Sequence, residues 1–272
     1  MKKTILLAIT LLLAIGVLAG YGPSQATAAE KQVIKLGITG EDYRLWNIVK
    51  EKLAKENIDL QIISFADYVR PNLALAEKEI DLNAFQHYAY LNKFAADRKL
   101  KLAPIGETIL APMGIYSSSL KSVKNLKEDA KVAIPNDATN EGRALNLLQS
   151  AGLIKVKASA GLLPTLKDVS DNPKKLQIIE LVATQIPRSL QDVDIAVINS
   201  GVAIDAKFSP VKDSILLENA KLESSKPYIN VIVAREEDKN NRLYKKVVKA
   251  YRSKDVKKAI FDIYQGAFIP TF

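Results

Sequence analysis

The chain has 272 residues, of which 48% are hydrophobic and 25% charged, and its 39 Lys and Arg exceed its 30 Asp and Glu by 9. This composition is typical of a globular protein and excludes a disordered or fibrous one. One histidine and no cysteine exclude zinc sites and disulfides, which need several such residues. The basic residues are mostly scattered lysines without interleaved aromatics, so we expect no nucleic-acid partner.

Residues 1–28 have the pattern of a secretory signal peptide. Lys2 and Lys3 form a positive start, residues 5–20 are almost wholly apolar, and an A-T-A cleavage sequence ends at Ala28. Removal of these two lysines, with no acid lost, takes the formal charge from +9 to +7. The sequence therefore predicts that the mature protein is soluble and works outside the cytoplasm.

The segment LAGYG resembles a bacterial lipobox in which Tyr21 replaces the cysteine that carries the lipid. A phenol cannot form the thioether bond, so the usual lipid anchor is doubtful. We expect either release by cleavage near Ala28 or retention at the membrane by an uncleaved signal segment. A chance run of small residues is the alternative interpretation.

Alternating, β-branched runs predict strands, and runs with helical periodicity lie between them. The predicted strands and extended segments cover residues 33–39, 58–65, 80–85, 102–118, 131–135, 176–181, 194–200 and 228–234. The predicted helices cover residues 43–56, 71–79, 89–98, 141–152, 185–191, 241–253 and 255–263.

Strands that alternate with helices, twice over, predict an α/β protein of two lobes with mostly parallel sheets. Ligands bind such sheets at the carboxyl ends of the strands. The segments that follow the strands are rich in Asn, Asp, Arg and aromatic residues, and they are residues 40–44, 65–68, 85–90, 136–143, 199–200 and 230.

The segment NDATNEGRA predicts a helix start, with Thr139 or Asn140 as the N-cap, followed by Arg143. Unpaired N–H groups, the helix dipole and a guanidinium together favour an anion, so Arg143 is a candidate carboxylate clamp. The alternative is an ordinary capped helix with Arg143 paired to Glu141 or to solvent.

Asn199 ends one apolar strand and Asn230 interrupts another. Amide oxygens at such positions accept hydrogen bonds from an ammonium group without the desolvation cost of a carboxylate. The alternative is that each asparagine closes a turn or satisfies a buried backbone group. Opposite an arginine clamp, the two would describe a receptor for a zwitterion.

Aromatic residues surround the only histidine, His87: Tyr68, Phe85, Tyr88 and Tyr90. Such rings could enclose an apolar, polarizable side chain such as a thioether. The alternative is core packing, with His87 donating to a backbone carbonyl. Trp46, the only tryptophan, either packs the first helix, as its periodicity favours, or lines the mouth of a pocket.

The sequence lacks the usual signatures of an enzyme: it has no G-x-S-x-G, no Walker A motif and no G-x-G-x-x-G. A pair of catalytic carboxylates is left open, although no pair stands out. We therefore expect a protein that is not an enzyme and has no cofactor or metal.

Three long segments carry a resemblance to a known family: DYVRPNLALAEKEIDLNAFQHYAYL, VAIPNDATNEGRALNLLQSAGLI and GLLPTLKDVSDNPKKLQIIEL, with KPYINVIVAREED near the end. With these segments the chain resembles the methionine-binding lipoproteins of the NlpA/MetQ type, the extracytoplasmic receptors of methionine ABC importers. The resemblance extends over nearly the whole mature chain.

The resemblance implies a type II periplasmic-binding-protein fold that closes on its ligand. It implies that Arg143, helped by Asn140, holds the ligand carboxylate, and that Asn199 and Asn230 meet the ammonium. The aromatic residues that it places along the ligand side chain are Tyr68, Phe85, His87 and Tyr90. We expect one lobe to comprise residues 29–113 and 228–272 and the other residues 114–227, with the hinge near 112–116 and 226–228.

The chain departs from the family pattern at Ala89, where proline is common, in TGEDYRLWN after the first strand, and at Val202, where an aromatic is lost. The expected function is capture of methionine and its delivery to an ABC permease and its ATPase, by a monomeric receptor. Another hydrophobic amino acid or a methionine-containing dipeptide is the alternative ligand. A surface adhesin and a secreted hydrolase are the alternatives of a different class.

Overall fold

A computed structural model of the protein describes residues 31–221 and 223–272. The predicted signal peptide and the lipobox-like segment lie outside these residues. Gln32–Phe272 forms one compact unit. Within the described ranges, no helix combines the length and the apolar character needed to cross a bilayer.

Strands and helices alternate along most of the chain. In order, they are β1 (Gln32–Thr39), α1 (Arg44–Ala54), β2 (Ile58–Phe65), α2 (Arg70–Ala76), β3 (Leu82–His87), α3 (Tyr88–Arg98), β4 (Leu102–Leu110), β5 (Gly114–Tyr116), β6 (Lys131–Pro135), α4 (Ala138–Ser150), β7 (Lys155–Val156), β8 (Val169–Asp171), β9 (Gln177–Leu181), β10 (Ile195–Ile198), α5 (Ser200–Asp205), α6 (Pro210–Asp213), β11 (Leu216–Leu217), β12 (Ile229–Arg235), α7 (Arg242–Tyr251), α8 (Lys254–Tyr264) and β13 (Ile269–Pro270). The segment predicted as a helix at 185–191 is a 3-10 helix, Ala183–Ser189, which contains Pro187.

Two sheets organise the fold. The first has the strand order β13-β4-β12-β3-β1-β2, and the second has the order β11-β5-β10-β6-β9. The α/β class and the two-lobed architecture are therefore confirmed. The strands of the first sheet lie within residues 32–110 and 229–270, and those of the second within 114–217. The boundaries expected for the two lobes stay a prediction.

Both sheets are mixed, so the expectation of mostly parallel pairing is wrong in detail. Strands β1, β2 and β3 pair in parallel, as do β10, β6 and β9. Strand β12 is antiparallel to both of its neighbours, and so is β5. Each of these two is the strand by which the chain arrives from the other sheet.

Amphipathic helices bury the two sheets. In α1 the apolar residues Leu45, Trp46, Val49 and Leu53 share one face, and they pack with α7 and α8 against the first sheet. In α4 the residues Leu145 and Leu148 are fully buried against the second sheet. This packing fixes the carboxyl ends of β3, β6 and β10. The polar residues at and after these ends form the site.

Candidate functional site

A cavity of about 900 Å³ lies between the two sheets, and residues from both sheets line it. Seven of the eight residues predicted to bind ligand are among its lining: Tyr68, Phe85, His87, Asn140, Arg143, Asn199 and Asn230. The eighth, Tyr90, is buried behind the rings of Tyr68 and Phe85. The fold thus brings the predicted residues together, and their contact with a ligand stays a prediction.

Asp137 determines where the helix that carries Arg143 begins. Its carboxylate accepts the backbone N–H of Asn140 at 3.0 Å, so Asp137 is the N-cap of α4, and the prediction of Thr139 or Asn140 as the cap is wrong. Because the helix starts at Ala138, Arg143 lies in its second turn, where its side chain reaches the cavity. An Asp with a free N–H three residues later is the signal that identifies this cap.

Arg143 is only 3% exposed, and its partner within the protein is Glu218. Its Nε donates to Glu218 Oε1 at 3.0 Å, and its Nη2 donates to the carbonyl of Ala111 at 2.9 Å and also to Glu218. The guanidinium lies over the ring of Tyr228 at 4.2 Å. The alternative pairing with Glu141 or solvent is therefore not observed, since Glu141 accepts the N–H of Leu166 instead.

His87 is neutral, and its tautomer is determined by its neighbours. Its Nδ1 accepts the backbone N–H of Tyr90 at 3.1 Å, so the proton is on Nε2, which lies 3.3 Å from Asn140 Oδ1. Burial, with a smaller contribution from the charge of Arg143, lowers the pKa of His87 to about 3. Both ring nitrogens are therefore engaged within the protein, and the expected bond from His87 to a backbone carbonyl is not among the contacts of the described residues.

Asn140 joins the last residue of β3 to the residue that follows β10. Its Oδ1 accepts from Asn199 Nδ2 at 2.8 Å as well as from His87, and its Nδ2 donates to both oxygens of Asp137 at 3.0 Å. All of its side-chain hydrogen-bonding groups are therefore engaged within the protein. The assistance that Asn140 was expected to give Arg143 stays a prediction.

Asn199 has a free acceptor. Its Oδ1 is buried and has no hydrogen-bond partner in the described part of the chain, although buried polar atoms are nearly always paired. Asn230 lies opposite His87 in the β12–β3 register, and its Nδ2 is 3.4 Å from the carbonyl of Tyr228. The arrangement offers an amide oxygen to a donor that enters the cavity.

Aromatic rings form one wall of the cavity. The centroids of Tyr68 and Phe85 are 5.9 Å apart, and Tyr90 contacts both rings edge-on and donates its hydroxyl to the carbonyl of Tyr68 at 2.8 Å. Burial raises the pKa of Tyr68 and of Tyr90, so both phenols stay protonated. The wall is thus uncharged, and Tyr90 supports it from behind.

A hydrogen bond joins the turn after β1 to helix α5 across the edge of the cavity. The backbone N–H of Glu41 donates to Asp205 Oδ1 at 3.0 Å. Gly40, in the same turn, has a positive φ of +77° and leaves no room for a Cβ, which would lie 1.7 Å from Asp205 Oδ2. Burial raises the pKa of Asp205. Because the turn belongs to the first sheet and α5 follows a strand of the second, this contact holds the two together.

The family model described as NlpA lipoprotein matches residues 34–272. The chain belongs to this family. The match covers both sheets except the first two residues of β1, and it includes every residue that lines the cavity.

Several methionine-binding proteins are similar to this chain over most of its length. It is 43% identical over 255 residues to the probable D-methionine-binding lipoprotein MetQ of Vibrio cholerae, covering 93% of this chain and 92% of that protein. A nutrient-binding protein of Burkholderia cenocepacia bound to methionine has a TM-score of 0.84 at 44% identity, covering 88% of this chain and 100% of that one. The substrate-binding protein of a methionine transporter from Streptococcus pneumoniae has a TM-score of 0.83 at 38% identity, with coverages of 88% and 96%.

In this NlpA-family chain, aromatic residues outside the predicted set also line the cavity, among them Trp46, Tyr251, Tyr264 and Phe268. Trp46 packs on Tyr251 at 4.9 Å and also lines the cavity, so both interpretations of its role apply. Tyr264 and Phe268 are 4.3 Å apart. These residues come from helices and from the C-terminal segment, and a search confined to the ends of strands cannot find them.

Proposed function

We propose that this NlpA-family chain is the extracytoplasmic substrate-binding protein of an ABC importer, that it binds methionine, and that it delivers methionine to the permease and its ATPase. The observation that carries the proposal is the buried oxygen of Asn199, which has no hydrogen-bond partner among the described residues and belongs to the same cavity lining as Arg143. The oxygen of Asn199 can accept a hydrogen bond from the ammonium group of an amino acid, and the guanidinium of Arg143 can bind its carboxylate.

Arg143 can take a carboxylate at Nη1, which has no hydrogen-bond partner among the described residues. Asn199 Oδ1 accepts from the ammonium, together with the side chain of Asn230, which lines the same cavity. The thioether then lies along the wall of Tyr68 and Phe85, where sulfur–aromatic contacts add about 0.3–1.5 kcal/mol. His87 is neutral and adds no charge to the ammonium side.

Binding is coupled to closure of the two lobes, because the ligand contacts come from both sheets. A ligand that contacts the end of β3 in the first sheet and residues after β6 and β10 of the second is bound more tightly when the lobes are closed, so it shifts the population toward that state. The closed protein then presents a surface that the permease recognises. The receptor acts as a monomer, performs no chemistry, and works at the cell surface with Tyr21 in place of the lipid-bearing cysteine.

A second candidate ligand is another hydrophobic amino acid or a methionine-containing dipeptide. The volume of the cavity favours it, since about 900 Å³ is near the upper end of the range for drug-sized ligands. The aromatic residues Trp46, Tyr251, Tyr264 and Phe268 provide the additional contact surface.

Isothermal titration calorimetry tests the proposal with both enantiomers of methionine, the other amino acids, glycylmethionine and methionine amide. We expect one methionine per chain with no turnover, and an affinity at least a hundredfold lower for the amide, which lacks the carboxylate. Arg143→Ala is expected to weaken methionine binding by several kcal/mol, because the ligand carboxylate then has no cationic partner. A wild-type protein that binds methionine and its amide equally would refute the clamp, and one that binds no amino acid would refute the function.

A further inference from the structure

A second carboxylate, that of Glu218, lies behind the guanidinium of Arg143. The side chain of Glu218 is 15% exposed, and it follows strand β11 at the edge of the second sheet. Both of its oxygens accept hydrogen bonds from Arg143, through Nε at 3.0 Å and through Nη2. Oε2 also accepts the backbone N–H of Met113 at 3.0 Å.

These contacts fix the plane of the guanidinium. Glu218 occupies the edge formed by Nε and Nη2, the carbonyl of Ala111 accepts a second bond from Nη2, and the ring of Tyr228 lies against the face. Nη1 is the nitrogen that the described residues leave unbonded. The orientation of this open edge is therefore set by Glu218, and no residue predicted to bind ligand provides it.

The same carboxylate ties Arg143 to the segment through which the chain passes between the sheets. Ala111 and Met113 lie between β4 of the first sheet and β5 of the second, and both take part in the network of Arg143 and Glu218. The position of the guanidinium is thus fixed by contacts with this connecting segment as well as by α4.

We propose that Glu218 is a positioning residue that acts through Arg143 and makes the receptor selective for ligands with a free carboxylate. The inference rests on the proposed function, because it requires Arg143 to bind the ligand carboxylate. Without Glu218, the long arginine side chain loses a bidentate partner and its open edge is no longer directed at the ligand. The charge remains, but the preorganisation that gives the clamp its strength is lost.

Glu218→Gln tests the proposal, because it keeps the size of the side chain and removes the charge. We expect the affinity for methionine to fall at least tenfold and the affinity for methionine amide to change less than threefold. Glu236→Gln is the matched control, since Glu236 pairs with Lys239 on the surface, and it should leave both affinities unchanged. Glu218→Asp, which keeps the charge and withdraws it by one methylene, should give an intermediate loss and serves if the glutamine variant does not fold.

A double-mutant cycle separates positioning from a general structural role. In an Arg143→Ala background, Glu218→Gln should cause no further loss of methionine affinity. Equal losses for methionine and its amide, losses that add in the double variant, or methionine binding as tight as or tighter than in the wild type would overturn the inference. Failure of the wild type to bind methionine would instead refute the proposed function, so the two failures are distinguishable.

Discussion

Gly40→Ala is the sharpest test of the contact that joins the turn after β1 to α5. An alanine Cβ at this position would lie 1.7 Å from Asp205 Oδ2 and 2.5 Å from Asp205 Cγ. The overlap involves the Cβ atom itself, which rotation of the methyl group does not move, so the Asp205 carboxylate must move. The bond from the N–H of Glu41 to Asp205 Oδ1, now 3.0 Å, is then lost.

Two separate costs follow from this substitution. The positive φ of +77° adds about 1–2 kcal/mol for any residue with a Cβ. Loss of a hydrogen bond to a charged acceptor adds about 1.5–3 kcal/mol. If that bond forms only when the lobes are closed, the second cost appears in ligand affinity, and about 1.5–3 kcal/mol corresponds to a roughly 10- to 150-fold rise in the methionine Kd.

Gly152→Ala is the matched control, because Gly152 has nearly the same φ, +73°, and nothing lies within 4 Å of its Cβ position. Both variants should lose about 1–2 kcal/mol of unfolding free energy from the backbone alone, measured by chemical denaturation. In calorimetry, Gly40→Ala should bind methionine at least tenfold more weakly, and Gly152→Ala within twofold of the wild type. If the two variants bind methionine equally well, the Glu41–Asp205 contact plays no part in closure and the reasoning fails.

Three further predictions concern the walls of the cavity. Because the folded-state pKa of His87, about 3, lies below its unfolded value of 6.5, the unfolded state binds more protons as the pH falls from 6.5 toward 3, so the folded state loses stability there by about 1.4 kcal/mol per pH unit. Chemical denaturation of the wild type and of His87→Gln between pH 6.5 and 4.5 checks this. As the pH falls, the variant should gain about 1.4 kcal/mol of unfolding free energy per pH unit relative to the wild type. Parallel pH profiles of the two proteins would contradict it. Asn199→Ala should weaken methionine binding by about 1–3 kcal/mol and leave the weaker binding of the des-amino analogue unchanged; calorimetry with both ligands decides, and equal losses would exclude the ammonium contact. Phe85→Leu should lower the preference for methionine over norleucine by about 0.3–1.5 kcal/mol; a preference that does not change in competition titrations would show that the thioether does not contact this ring.

The secondary structure was predictable because its signals are local. Strands β2 and β6 have the predicted extents, residues 58–65 and 131–135. Apolar residues of β2 alternate with polar ones, whereas β6 is a short apolar run that is buried on both faces and ends at Pro135. The antiparallel entry of β5 and β12 was not predictable, because strand direction depends on how the chain travels between sheets. Periodicity within a single strand carries no information about it.

The candidate site was predictable in the residues at the ends of strands and at a helix start, and not in the partners that distant segments supply. His87, Arg143 and Asn199 lie at the end of a strand or near the start of a helix. Such a place can be read from the sequence because it depends only on neighbouring residues. Glu218 is 75 residues from Arg143, and Asp205 is 164 residues from Glu41. No periodic pattern links positions so distant, so these partners became visible only when the folded chain brought them together.

By itself, the sequence determined the α/β class, the polar residues at the ends of strands, and the family. The first two follow from the periodicity of neighbouring residues, and the family follows from long uninterrupted motifs. The tertiary structure alone decided which carboxylate faces Arg143, which nitrogen of His87 carries the proton, and that the described residues leave the side-chain oxygen of Asn199 without a partner. Those properties arise from burial and from pairing between distant segments. These hydrogen-bond partners and protonation states are determined only in the folded protein, where water is excluded and each buried polar group must pair within the chain.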